Sequence, residues 1–160
     1  MDEYKIMEIS EILENGIEFV GDVCYSGEWG QDVFDAPEEI GGKSITGIVY
    51  EKQKNGNIAY YSYYKDGVLN GPTVYFHEDG GVKKYMDMFK GILHGKEIEW
   101  FENGKIKMYA NRKYRFLTLC KEWDECGNLI KEESGPTQEE LKLIKRYEED
   151  EERWKKGIVK

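Results

Sequence analysis

From Gly47 onward, short apolar runs alternate with turn residues. "TVYF" (73–76), "EIEWF" (97–101) and "CKEW" (120–123) are rich in aromatic and β-branched side chains. Each runs into a turn pair: Asp79-Gly80, Asn103-Gly104 and Cys126-Gly127, with Asn55-Gly56 in the same place one copy earlier. "NIAYYSYY", "VKKYMDMF" and "IKMYANRKY" then return, and Asp66-Gly67 and Lys90-Gly91 reverse the chain again. Apolar runs of this length between turn residues predict strands joined as hairpins. Asn-Gly and Asp-Gly predict type I′ turns, whose two central residues both need positive φ. Strict alternation would put Ile58, Tyr60, Ser62 and Tyr64 on one face and Ala59, Tyr61 and Tyr63 on the other. In later copies Val82, Met86 and Met88 share a face, as do Ile106, Met108 and Tyr114. Aromatic residues then lie on both faces, which predicts an open sheet with an exposed tyrosine side, not a sealed barrel.

The pattern has a period. Gly47, Gly71 and Gly95 are 24 residues apart, and each is followed nine residues on by Gly56, Gly80 and Gly104. Eleven residues further stand Gly67, Gly91 and, in the third copy, Arg115. A worn fourth copy, "LCKEWDECGNLI", carries Gly127 one residue early. A lone hairpin is marginal in water, and neighbouring copies bury shared faces. The fold class expected is mainly β, an elongated antiparallel meander of 24-residue hairpin repeats with a C-terminal α-helix. The repeats divide as 47–70, 71–94, 95–118 and a degenerate 119–133. The repeat glycines at 47, 71 and 95 are expected to close a turn or to relieve crowding between backbones.

Outside the repeats the period changes. Thr137 followed by Glu140 is a capping box, and Leu141, Ile144, Tyr147 and Trp154 fall at helical spacing, so 137–157 is expected to be a helix covering one end or face of the sheet. Residues 1–46 form an acidic segment. Within it "KIMEISEIL" fits a short helix or a strand, "GIEFVGDVCYSG" fits a strand, and "EWGQDVFDAPEEIGGKS" fits an acidic loop.

Charge sharpens this picture. Residues 1–43 hold twelve acids and two lysines, whereas 44–136 hold thirteen acids and fourteen bases and 137–160 hold seven of each. Nearly all of the net charge of −9 therefore sits in the first quarter of the chain. No basic patch is set up for nucleic acid or an anionic membrane. The acidic N-terminus lacks an apolar core, which predicts no secretory signal, and no run of 18 apolar residues predicts a membrane span. Cys24, Cys120 and Cys126 are odd in number and irregularly spaced, as expected of reduced thiols in the cytoplasm.

The segments "SITGIVYEKQKNGNI", "YKDGVLNGPTVYFHEDGGVK", "FKGILHGKEIEWFENGKIK" and "KEWDECGNLIKEE" resemble variant MORN repeats. Their order, with "CYSG" (Cys24 to Gly27) and Thr46-Gly47 ahead of them, resembles bacterial antitoxins of the YwqK type, over about residues 23–133. The family pattern is interrupted by a longer acidic insertion before Thr46, and by Arg115 and Leu119 at two glycine positions, which suggests a capping repeat at that end. The resemblance implies a mostly β, non-catalytic protein that neutralises a toxin encoded beside it.

No catalytic constellation accompanies the repeats. His77 and His94 lie beside no nucleophile-elbow serine or cysteine, and the glycines are explained by turns and not by a phosphate loop. Glu97 and Glu99 are available as a carboxylate pair but fit an exposed polar stripe opposite Ile98. No cofactor and no metal are expected. Two features fit partner binding. One is the acidic-aromatic segment with Glu28, Trp29, Asp32, Phe34, Asp35, Glu38 and Glu39, suited to steering into a basic active-site cleft. The other is the aromatic surface expected around Tyr61, Tyr63, Tyr85, Trp100 and Tyr109, because Tyr and Trp dominate interface hot spots. The function expected is an antitoxin that occludes its toxin's active site or substrate entry. The competing reading is a non-catalytic scaffold, self-associating through the sheet edge.

Overall fold

The computed structural model describes residues 4–21, 23–26 and 31–157. Helix α1 (Ile9–Asn15) leads into β1 (Ile17–Glu18), and β2 (Cys24–Ser26) pairs antiparallel with β3 (Asp32–Phe34). The repeat region follows as β4 (Gly47–Lys52), β5 (Ile58–Lys65), β6 (Val68–Phe76), β7 (Val82–Phe89), β8 (Ile92–Trp100), β9 (Ile106–Lys113), β10 (Phe116–Trp123) and β11 (Leu129–Ser134). Helix α2 (Gln138–Lys155) closes the described chain. Strands β4 to β11 lie side by side in chain order as an antiparallel meander, with β1 added parallel to β4. The mainly β meander with a C-terminal helix is as the sequence predicts. The N-terminal segment is more structured than expected. "KIMEISEIL" holds α1, "GIEFVGDVCYSG" is broken into β1 and β2 in different sheets, and the acidic loop contains β3 and a 3-10 turn at Glu38–Ile40.

The two ends of the sheet use different turns, and here the sequence expectation is corrected. At Asn55-Gly56, Asp79-Gly80 and Asn103-Gly104 only the glycine has positive φ. Gly56 N–H donates to Gln53 O at 2.9 Å and Gln53 N–H to Asn57 O at 2.7 Å, a three-residue loop that needs one left-handed residue. The Asn and Asp are there for another reason. Asn55, Asp79 and Asn103 each accept, through Oδ1, the N–H two residues on, at 2.9, 2.8 and 3.0 Å. The two-residue turns with both φ positive lie at the other end: Asp66-Gly67, Lys90-Gly91 and Tyr114-Arg115. Arg115 keeps the left-handed geometry (φ 72°) without being glycine.

At those two-residue turns the repeats are stitched together. The N–H groups of Asp66, Lys90 and Tyr114 donate to Thr46 Oγ1, Asn70 Oδ1 and His94 Nδ1, at 2.9, 3.3 and 3.1 Å. Three different side chains thus perform one task at a spacing of 24 residues.

Bulges overturn the simple face assignment. Lys52 pairs with Ile58 but Glu51 with Tyr60, so Ala59 is an extra residue, and Lys83 and Lys107 are extra at the same place in the next copies. The extra residue resets the alternation. Ile58 therefore shares a face with Tyr61, not with Tyr64. That first face carries Ile48, Tyr50, Ile58, Tyr61, Val74, Phe76, Tyr85, Ile98 and Trp100. It is covered by Ile12 of α1 and by Tyr4, Ile6 and Met7 of an N-terminal arm. The fully enclosed Val74 and Ile98 contribute about 2 kcal/mol each by burial. On the other face Val33, Ile45, Val49 and Tyr64 make a second cluster beneath β3.

Gly95 relieves crowding inside the sheet and closes no turn. It stands at φ 122°, and a Cβ there would lie 2.7 Å from Asp87 Cβ. Around it three residues of β8 oppose one of β7, between the pairs Met88–Leu93 and Met86–Glu97. In the last copy Leu119 occupies this place, and the irregularity shrinks to one extra residue between Leu117 and Leu119.

Helix α2 begins with the expected capping box at Thr137 and Glu140. It packs against the two-residue-turn end of the sheet. Tyr147 stacks on Tyr114 with ring centroids 5.2 Å apart, the Tyr114 hydroxyl donates to Glu151 at 2.5 Å, and Lys113 pairs with Glu148. Burial, then the Glu151 carboxylate, push the Tyr114 phenol up to about 12.

Candidate functional site

The acidic segment is held at one end of the sheet by β3. Val33 is fully buried, its N–H donates to Gly67 O, and its carbonyl accepts from Ile45 N–H, both at 2.9 Å. Beyond this anchor the chain makes a compact loop. Asp35 N–H donates to Lys43 O at 3.0 Å and Lys43 N–H to Asp35 Oδ1 at 2.7 Å, which closes the neck. At the tip Ile40 and Gly42 N–H both donate to Pro37 O at 3.1 Å. Gly42 is required by this path, because a Cβ there would lie 1.8 Å from Ala36 O. Asp35, Glu38 and Glu39 are exposed, and Ile40 beside them is 74% exposed. Three carboxylates around a bare aliphatic side chain make a small acidic-apolar knob.

Asp32 and Phe34 are half-buried at the root of that knob. Asp32 borders a cleft of about 340 Å³ lined also by Tyr25, Gln31, Tyr64, Leu69 and Lys90. Tyr25, 59% exposed, packs its ring 5.5 Å from Phe19. Sequence reasoning missed Tyr25 and Ile40. The signal was present in Ile40, an apolar residue set between two acids and two glycines. Glu28 and Trp29 lie outside the described residues.

The aromatic half of the expectation needs correction. Tyr61, Tyr85 and Trp100 are buried, so they line the core and offer no surface to a partner. The physical reason is the N-terminal arm. Met7 N–H donates to the Tyr61 hydroxyl at 3.0 Å, and the Tyr4 ring sits 5.6 Å from Tyr85 and 5.5 Å from Trp100. Burial, together with the Asp87 carboxylate that accepts its hydroxyl at 2.6 Å, pushes the Tyr85 phenol up. The "YKIM" of the arm was the overlooked signal. Tyr63 remains 38% exposed and Tyr109 half-buried. They stand on β5 and β9, four strands and about 19 Å apart at the usual spacing. They do not form one patch with the acidic knob.

Glu97 is buried, not part of an exposed stripe. Its carboxylate bridges Lys84 Nζ and Arg112 Nε, both at 2.7 Å, while Glu99 takes Lys84 at 2.9 Å. Burial alone would raise the Glu97 carboxyl, but Lys84 and Arg112 outweigh it and hold the group below its usual range. Both histidines serve the backbone framework. His77 Nε2 contacts Trp100 O at 3.2 Å, and His94 Nδ1 accepts from Tyr114 N–H. Among the described residues no group of three or more His, Cys, Asp and Glu side chains is placed to hold a metal ion, and no helix is long and apolar enough to cross a membrane.

No family model matches the chain, and no solved structure does. Immunity protein YwqK of Bacillus subtilis (strain 168) is 42% identical over 123 residues, which make up 77% of this chain and 79% of that protein. At that identity, and over that share of both chains, this chain belongs to the family of immunity protein YwqK.

Proposed function

We propose that this chain is an immunity protein that binds a cognate bacterial toxin in the cytoplasm and covers its active site or substrate entry. The single observation that carries the reading is the 42% identity to a protein named as an immunity protein. The acidic knob supplies the chemistry. Asp35, Glu38 and Glu39 are exposed on a loop whose neck and tip are fixed by backbone hydrogen bonds. Such a loop loses little entropy on docking, and its charge speeds encounter with a basic cleft. In this reading residues 47–133 are the variant MORN array that holds the knob in place, and the toxin is encoded next to the antitoxin.

The test is co-expression with the toxin-like product of the adjacent gene. The chain restores growth and co-purifies with that product in a one-to-one complex. The double variant Glu38→Lys, Glu39→Lys, which leaves the Asp35–Lys43 neck bond in place, keeps the parent's circular dichroism. Its association rate drops at least about tenfold at low salt, and the gap narrows as salt rises. Absence of both rescue and co-purification overturns the proposal. Unchanged kinetics in the double variant move the interface off the knob.

A second reading is a scaffold that self-associates through the sheet edge. It is favoured by β11, whose six residues are all exposed and include Leu129 and Ile130. Light scattering separates the two, because edge pairing gives a mass that grows with concentration in the absence of any toxin.

A further inference from the structure

The first face of the sheet repeats one cross-strand unit three times. Tyr61 pairs with Val74, Tyr85 with Ile98, and Tyr109 with Lys121. An aromatic residue stands two positions on in each second strand: Phe76, Trp100 and Trp123. The first two units are floor for the N-terminal arm, with Met7 bonded to Tyr61 and Tyr4 against Tyr85 and Trp100. The third is different. Tyr109, Lys121 and Trp123 are only half-buried. With Lys105, Ile106 and Leu119 they line a groove of about 580 Å³ that continues the arm's track across the sheet. Among the described residues nothing lies across it.

The geometry points to this third unit as a docking groove for an extended segment of a partner protein, one presenting a large apolar side chain beside a carboxylate. Two observations fix that chemistry. The same floor, one repeat earlier, accepts a tyrosine ring from an extended segment, so the third unit offers a ring the same kind of seat. Where Ile98 stands under the arm, the third unit has Lys121, and Lys105 stands beside it. An ammonium at that position calls for an anion in the occupant. Among the described residues Lys121 pairs with Glu132 at 3.0 Å and Lys105 Nζ donates to Glu125 O at 3.0 Å, both in exposed positions where such contacts hold weakly. The occupant is not the arm of a second copy, because each copy's Tyr4 is already seated on its own Tyr85 and Trp100. The inference does not depend on the toxin reading.

The probe is a fluorescein-labelled synthetic peptide with the arm's own chemistry, "DEYKIME", titrated against the full chain and followed by anisotropy. Saturable one-to-one binding is expected in the range of about 10–100 μM, the strength of a short segment on a shallow groove. Lys121→Glu and Leu119→Asp, each with parent-like circular dichroism, weaken it at least about tenfold, and replacing the peptide's tyrosine by alanine abolishes it. Hydrogen exchange at the Met7 amide stays at its parental value when the peptide is bound. Four results overturn the inference. They are no saturation by about 1 mM, a level set by the weakest specific affinities; equal binding by Lys121→Glu; faster exchange at Met7, which places the peptide in the arm's own seat; and a dimer in sedimentation that Leu119→Asp dissolves, which makes a second copy the occupant.

Discussion

Replacing Glu97 by Gln keeps the side chain's shape and removes a charge that the sheet has enclosed. Glu97 is 6% exposed, and its two oxygens lie 2.7 Å from Lys84 Nζ and 2.7 Å from Arg112 Nε. A hydrogen bond to a charged group contributes about 1.5–3 kcal/mol. The Lys84 share is largely retained, because Glu99 holds the same ammonium at 2.9 Å. Arg112 loses its carboxylate and keeps only an amide oxygen and its bond to Arg115 O at 3.3 Å. Both cations reach solvent, which reduces the cost below the figure for a sealed pair. The expected loss is about 2 kcal/mol, or about 4–8 °C in Tm for a chain of this size. Urea unfolding at pH 7, followed by tryptophan fluorescence, measures it. The pH dependence provides a second check. The folded pKa of Glu97 is depressed, so its contribution is present above the unfolded carboxylate value of 4.5 and is lost as pH falls through the lower folded value. The parent and Glu97→Gln curves should therefore converge in acid. A variant within about 0.5 kcal/mol of the parent at pH 7, the size of an ordinary surface change, or a gap that persists at low pH, refutes the argument.

Three further outcomes are expected. His94→Asn, which copies Asn70 one repeat earlier, should match the parent at pH 8, whereas His94→Leu leaves the Tyr114 N–H without its acceptor and costs about 1–2 kcal/mol in urea unfolding. Burial holds the His94 pKa below its ordinary 6.5. The parent should thus lose stability as pH falls from 6.5 toward the folded value, and His94→Asn should lack that slope between pH 8 and 5. Arg115→Gly should raise stability by about 0.5–1 kcal/mol in the same assay, because relief of left-handed strain exceeds the added freedom of the unfolded chain. Gly95→Ala should cost more than about 2 kcal/mol, since it combines a positive φ with a Cβ set against Asp87, and calorimetry will show the lowered Tm.

What the sequence determined by itself is local and periodic. Chain reversals at Gly56, Gly80 and Gly104, the capping box at Thr137, and a meander whose spatial order is its chain order all follow from residues close together in the chain. The shared period of 24 residues then forces every copy into one arrangement. Features that depend on something distant or on one extra residue are not legible in this way. Asn-Gly suits a two-residue loop as well as a three-residue one, and only the pairing of the flanking strands selects between them. Strict alternation does not hold, because the bulge at Ala59 adds one residue and inverts every side chain beyond it. Tyr61, Tyr85 and Trp100 read as surface because the segment that covers them is some fifty to a hundred residues away in sequence. The tertiary structure alone decided which aromatic residues became core, beneath Tyr4 and Met7, and which, Tyr63 and Tyr109, kept part of their surface in solvent. Burial is a property of what packs on a strand, and a strand's own sequence does not encode its cover.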